Sequence, residues 1–141
     1  MLLNGCSFPT EDEDLLAIDT RYWNNLLGYV LNRWPDVPEY LTIVQYLGYH
    51  SKKYGNISKR LVKSESGLLP TQEFAVRLVR YLMNKGVTIV ICRSARLWLN
   101  AVEGLGSYPK LVVINNPLRP YLTPKNCKDD GFEKIEAALN E

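Results

Sequence analysis

The run Val87-Thr88-Ile89-Val90-Ile91-Cys92 constrains this chain more than any other stretch. It is almost wholly apolar, rich in β-branched residues and preceded by Gly86. Apolar and polar positions do not alternate, so neither side of it suits water. That pattern predicts a strand buried on both faces, as in a parallel sheet. The next thirty or so residues support a βαβ unit. Ser94 suits a helix N-cap, Leu97, Trp98, Ala101 and Val102 share a helical face, and Gly104 suits the stop. "KLVVINN" then reads as a second buried strand, reached by a right-handed crossover.

The same logic extends outward. "PTQEFAVRLVRYLMNKG" reads as an amphipathic helix with Phe74, Leu78, Leu82, Val79 and Met83 as its apolar stripe. Pro70 lies near its first turn and Gly86 just past its end. "LTIVQYLGY" predicts a strand over Leu41–Leu47. "DLLAIDTRYWNNLLGYVLNRW" predicts a helix, interrupted near Asp19-Thr20 and ended by Pro35 and Pro38. Its core candidates are Leu16, Trp23, Leu26, Leu27, Val30 and Leu31. "GFEKIEAALNE" predicts a last helix with Phe132, Ile135 and Leu139 inward. "MLLNG" fits the tail of a first strand that begins at residue 1 and is expected to be truncated. The expected order is β–α–β–α–β–α–β–α. That is an α/β fold, a three-layer α/β/α sandwich on a four-stranded parallel sheet, in a single domain over residues 1–141.

Composition narrows the function classes. No run approaches the length of apolar sequence that crosses a bilayer, and no leader pattern is evident, so the expected setting is cytoplasmic with no membrane partner. Cys6, Cys92 and Cys127 are odd in number and lack CxxC spacing, and His50 is the single histidine. Neither a metal site nor a disulfide framework is expected. No GxGxxG, GxxxxGK[ST] or GxSxG motif occurs, and no cofactor is expected. Charge is uneven: the balance is −5 over residues 1–39, +8 over 40–100 and −1 over 101–141. The middle either presents a positive face to phosphate groups or is a solvated surface neutralised by the acidic ends.

Ligands of open parallel sheets bind beyond the carboxyl ends of the strands. Four segments should meet there: "NGCSFPTEDED", "YHSKKYGN", "RSARLW" and "NNPLRPYLTPKN". In them His50 and Ser51 can act as a proton-transfer or hydrogen-bonding pair. Arg93 with Ser94 can hold an anion, the alternative being a plain cap beside a surface arginine. Asn115, Asn116 and Arg119 can meet a base edge or phosphate. The alternative is a loop shaped by Pro117, Pro120 and Pro124 that needs Asn for its turns. Tyr46, Tyr49, Tyr54 and Tyr121 either stack on bases or pack as amphipathic side chains.

The element order, the polar first-strand exit and the "NNP…P" loop before a Phe-containing last helix resemble the uracil-DNA glycosylase-like superfamily. "YHSKKYGN", "LLPTQEFAVRLVRYL", "ICRSARLW" and "NNPLRPYLTPKNC" are similar to a bacterial branch with such domains. The resemblance implies a uracil-DNA glycosylase-like fold that binds DNA or a nucleotide. It further implies a flipped base and hydrolysis of the N-glycosidic bond, a DNA-repair type of activity. By position, Asn4 would hold water or sugar, and His50 would act as acid, base or donor. Arg93 and Arg119 would hold phosphate. The chain departs from the family at both motifs: the first is "NGCSFP", and the last loop is "NNPLRP" with no histidine. Loss of such a donor costs about 3 kcal/mol of transition-state stabilisation. A catalytically inactive interaction module and a small-molecule nucleoside or nucleotide enzyme are the alternatives.

Overall fold

The computed structural model describes residues 13–46 and 67–141. Among the described residues five α-helices appear in chain order: α1 (Glu13–Arg33), α2 (Val37–Tyr40), α3 (Pro70–Asn84), α4 (Ala95–Ala101) and α5 (Phe132–Leu139). Two short strands, β1 (Ile89–Ile91) and β2 (Leu111–Val113), pair in parallel with Ile89 opposite Leu111 and Ile91 opposite Val113.

The two faces of this ribbon serve different cores, because side chains alternate along a strand. Val90, Cys92, Val112 and Ile114 pack into one cluster with Leu26, Leu27 and Val30 of α1 and with Phe132 and Ile135 of α5. Ile89, Ile91, Leu111 and Val113 pack into the other, with Val76 and Val79 of α3, with Trp98 of α4 and with Val102 just past it. An apolar run with no polar alternation is what such a ribbon requires.

Helix ends obey local chemistry. Behind α3, the Gly86 N–H donates to the Met83 carbonyl at 3.0 Å and the Val87 N–H to the Leu82 carbonyl at 3.1 Å. This paired closure needs a left-handed residue, and Gly86 supplies it at φ +72°. Gly104 turns the chain after α4 at φ +78°. The outer end of α1 is tied to α5. Arg33 pairs with Glu136 at 3.0 Å, the Trp34 indole donates to Asn140 Oδ1 at 3.1 Å, and Tyr29 meets Phe132 edge-on.

Several expectations are corrected. The four-stranded parallel sheet of a three-layer α/β/α sandwich, and with it the uracil-DNA glycosylase-like fold, is overturned. The described residues are mostly helical and carry only the two-stranded parallel sheet. The strand expected over Leu41–Leu47 is absent from its described part, where residues 41–45 join no ladder. Its apolar side chains are used differently: Leu41 packs on one cluster, while Val44 and Tyr46 pack on the other. An apolar run reports burial, whereas a strand needs a neighbour for its amides. The first strand at "MLLNG" lies outside the described residues.

Two helices also differ from expectation. α1 runs through Asp19-Thr20 without a break. Both residues are modest helix formers, and their cost is small beside the packing of the Leu26, Leu27 and Val30 face. The apolar stripe of α3 is rotated. Gln72, Ala75, Val76 and Val79 are buried, while Phe74 is 61% exposed. The buried face is built from small and medium side chains, and the Phe74 and Tyr81 rings are left outside. Gln72 tolerates burial because its side-chain oxygen accepts from the Leu69 N–H at 2.9 Å.

Candidate functional site

Because β1 and β2 are parallel, the chain leaves both at the same edge. The first exit is Cys92-Arg93-Ser94. Arg93 is exposed, and its guanidinium carbon lies 5.4 Å from the centre of the Tyr22 ring on α1. This cation–π contact steadies the side chain without neutralising it. Burial pushes the Tyr22 phenol above its ordinary range, and Arg93 partly offsets that.

Ser94 makes the turn from strand to helix in the left-handed region, at φ 56° and ψ 35°. Its carbonyl accepts from the Leu97 N–H at 2.9 Å and the Trp98 N–H at 3.1 Å. It thus occupies the N-cap position expected for it, but its hydroxyl makes no capping bond. A left-handed Cβ costs about 1–2 kcal/mol, which a short polar residue bears better than a branched one.

The second exit is an unusually well-pinned loop. The Asn115 N–H donates to the Asn126 carbonyl at 2.7 Å, and the Asn116 N–H to Asn126 Oδ1 at 3.1 Å. Asn126 Nδ2 donates to the Arg119 carbonyl at 3.0 Å and the Tyr121 carbonyl at 2.9 Å. Asn116 Oδ1 accepts from the Leu118 and Arg119 amides at 3.1 and 3.3 Å. Asn115 Nδ2 reaches the Lys125 carbonyl at 3.4 Å. The loop is anchored inward where the Leu122 N–H donates to the Leu26 carbonyl of α1 at 2.9 Å. Leu122 and Pro120 are buried.

These bonds show the loop-shaping side of the asparagines. The Asn116 side-chain oxygen is engaged in turn geometry, which fits the loop-shaping alternative. Asn126, which sequence reasoning missed, is the hub. The one signal in the sequence was an amide between Pro124 and Cys127 in a proline-rich loop, but nothing local shows which carbonyls its donors reach.

Five basic side chains ride on the two exit segments: Arg93 and Arg96 on the first, and Arg119, Lys125 and Lys128 on the second. No carboxylate lies between Cys92 and Val102 or between Ile114 and Lys128, but Lys128 itself shares a single 3-10 turn with Asp129 and Asp130. All five are exposed, and among the described residues none forms an ion pair. Thus Arg93, Ser94, Asn115, Asn116 and Arg119 belong to segments leaving one edge. Asn4, His50 and Ser51 lie outside the described residues.

The thiols at this edge are not poised to react. Burial, with Cys127 nearby, pushes the Cys92 thiol up to about 11, and Arg93 offsets only part of this. Burial also raises Cys127. Both stay protonated near neutrality, and the thiolate is the nucleophile. Among the described residues no group of three or more His, Cys, Asp or Glu could hold a metal ion. Among them, too, no helix is long and apolar enough to cross a membrane. Comparison with protein-family models, curated proteins and solved structures returned no significant match.

Proposed function

We propose that this chain binds the phosphate groups of a nucleic acid or nucleotide at the strand-end edge, as a binding domain. The observation that carries the reading is the set of exposed cations on the two exit segments, Arg93, Arg96, Arg119 and Lys125 with no carboxylate between them on either segment and Lys128 beside Asp129 and Asp130, none of the five forming an ion pair among the described residues. The pinned Asn115–Asn126 loop supports it. A cation such as Arg119 on a pre-shaped loop loses less conformational freedom on contact than one on a slack loop. The asparagine side chains serve the loop itself, so phosphate contact fits the edge better than base reading.

Binding of labelled single-stranded and duplex DNA across a salt series tests this. Each neutralised phosphate contributes a slope of roughly −0.7 on single strands and −0.9 on duplex in log affinity against log salt. Arg93→Gln with Arg119→Gln should weaken binding and flatten the slope by about 1.5 to 2. Affinity indifferent to salt, or unmoved by this pair, would sink the reading. N-glycosidic hydrolysis would be a further property, resting on Asn4 and His50. Release of free base from a uracil-containing oligonucleotide, lost in His50→Ala, tests that separately.

A further inference from the structure

The outer face of α3 carries two exposed rings on one line. Phe74 is 61% and Tyr81 56% exposed, two turns apart, with the half-buried Leu78 between them. At 1.5 Å per residue the rings stand about 10 Å apart along one side of the helix. The opposite side, carrying Ala75, Val76 and Val79, is already committed to the core. The aromatic stripe is therefore surplus to folding.

Its surroundings are mainly cationic, although Glu103 lines a hollow together with Arg80, Met83 and Asn84. Arg77, Arg80 and Lys85 are exposed, and among the described residues none forms an ion pair. The Lys85 ammonium lies 5.5 Å from the centre of the Tyr81 ring. Glu73 is the one carboxylate on α3. Exposed rings flanked by unneutralised cations suit a polyanion that also carries flat apolar faces. A single-stranded nucleic acid has both, since its bases are free to stack. A duplex offers the charge but keeps its bases paired.

We infer that the outer face of α3 binds single-stranded nucleic acid, with Phe74 and Tyr81 stacking on bases and Arg77, Arg80 and Lys85 meeting the backbone. The inference takes its class of partner from the function proposed above, but it rests on a different surface. The two can therefore fail separately.

The test uses the full chain, a labelled oligothymidylate and a mixed-sequence duplex of equal length. Phe74→Ala with Tyr81→Ala should weaken oligothymidylate binding about 25-fold or more. Duplex affinity, salt slope and melting temperature should change little, because no cation and no buried group is removed. Phe74→Trp with Tyr81→Phe should restore binding. Unchanged oligothymidylate affinity in the double-alanine variant overturns the inference. So does a wild-type dimer that this variant converts to monomer, which would make the face a self-association surface. Ring-dependent binding to phosphatidylcholine–phosphatidylglycerol vesicles with unchanged oligothymidylate binding also overturns it. If Arg93→Gln with Arg119→Gln abolishes binding while the ring variant does not, the strand-end reading stands and this one falls. The reverse pattern keeps this one and removes the other.

Discussion

Asn126 holds Asn116 in place across the base of the second exit loop, its Oδ1 accepting the Asn116 N–H at 3.1 Å while its amide nitrogen donates to two further carbonyls. One half-buried side chain thus closes a loop whose ends lie ten positions apart in the chain. Asn126→Ala should cost about 1–2 kcal/mol, since water replaces part of what is lost at an accessible site. Asn126→Asp should do no better, because it keeps the acceptor but turns a carboxylate toward two carbonyls. Urea denaturation measures both. An Asn126→Ala protein as stable as wild type would show that the loop holds without its hub.

Three glycines should respond to alanine in three ways. A Cβ on Gly131 would meet the Lys128 carbonyl at 2.9 Å and Val112 Cγ1 at 3.0 Å, so Gly131→Ala should destabilise by roughly 1–3 kcal/mol. Gly86 has open space but a φ of +72°, so its cost should be backbone strain alone, about 1 kcal/mol. Asn at position 86 should cost less than Ala. Gly28, inside α1 with nothing within 4 Å of its Cβ position, should gain about 1 kcal/mol as alanine. Melting temperatures in that rank order are the check; a destabilising Gly28→Ala would contradict it.

Ser94 is left-handed and its hydroxyl caps nothing. Ser94→Gly should therefore raise stability by about 1 kcal/mol, and Ser94→Val should lower it. A loss on Ser94→Gly in thermal unfolding would reveal a stabilising role for the hydroxyl.

Cys92 should resist alkylation at neutral pH in the folded chain and react after unfolding, judged by iodoacetamide labelling and mass spectrometry in a Cys6→Ser background. Its folded pKa, about 11, lies above its ordinary value of 9.0. The stability contributed by the neutral buried thiol is full below that ordinary value. It is lost as pH rises toward 11, because the unfolded thiol gives up its proton first. Cys92→Ala should flatten the decline in stability across that alkaline window. Rapid labelling of the native protein at neutral pH would contradict the buried assignment.

Legibility tracked the range of the interactions. The parallel pairing of the segments flanking α4 was readable because one unbroken apolar run can satisfy two cores at once. The inward positions of α5 were readable because Phe132 and Ile135 lie one helical turn apart. The inner face of α3 was read in part: Val79 and Met83 do pack on the core, but hydrophobicity favoured Phe74 where the structure buries Ala75 and Val76. At the candidate site, the cations were visible as residue types, while the loop-shaping contacts of Asn116 could be known only by seeing which amides its oxygen meets.

By itself the sequence determined the buried ribbon, the glycine-terminated end of α3, and the shortage of carboxylates in the two exit segments. These depend on residue type and on neighbours a few positions away. Only the tertiary structure decided that 41–45 pairs with no described strand, that Phe74 and Tyr81 face outward, and that Asn126 reaches back to Asn116 and Arg119. Each of those outcomes depends on which distant backbone or helix arrives alongside, and hydrogen bonding and packing there outweigh local preference.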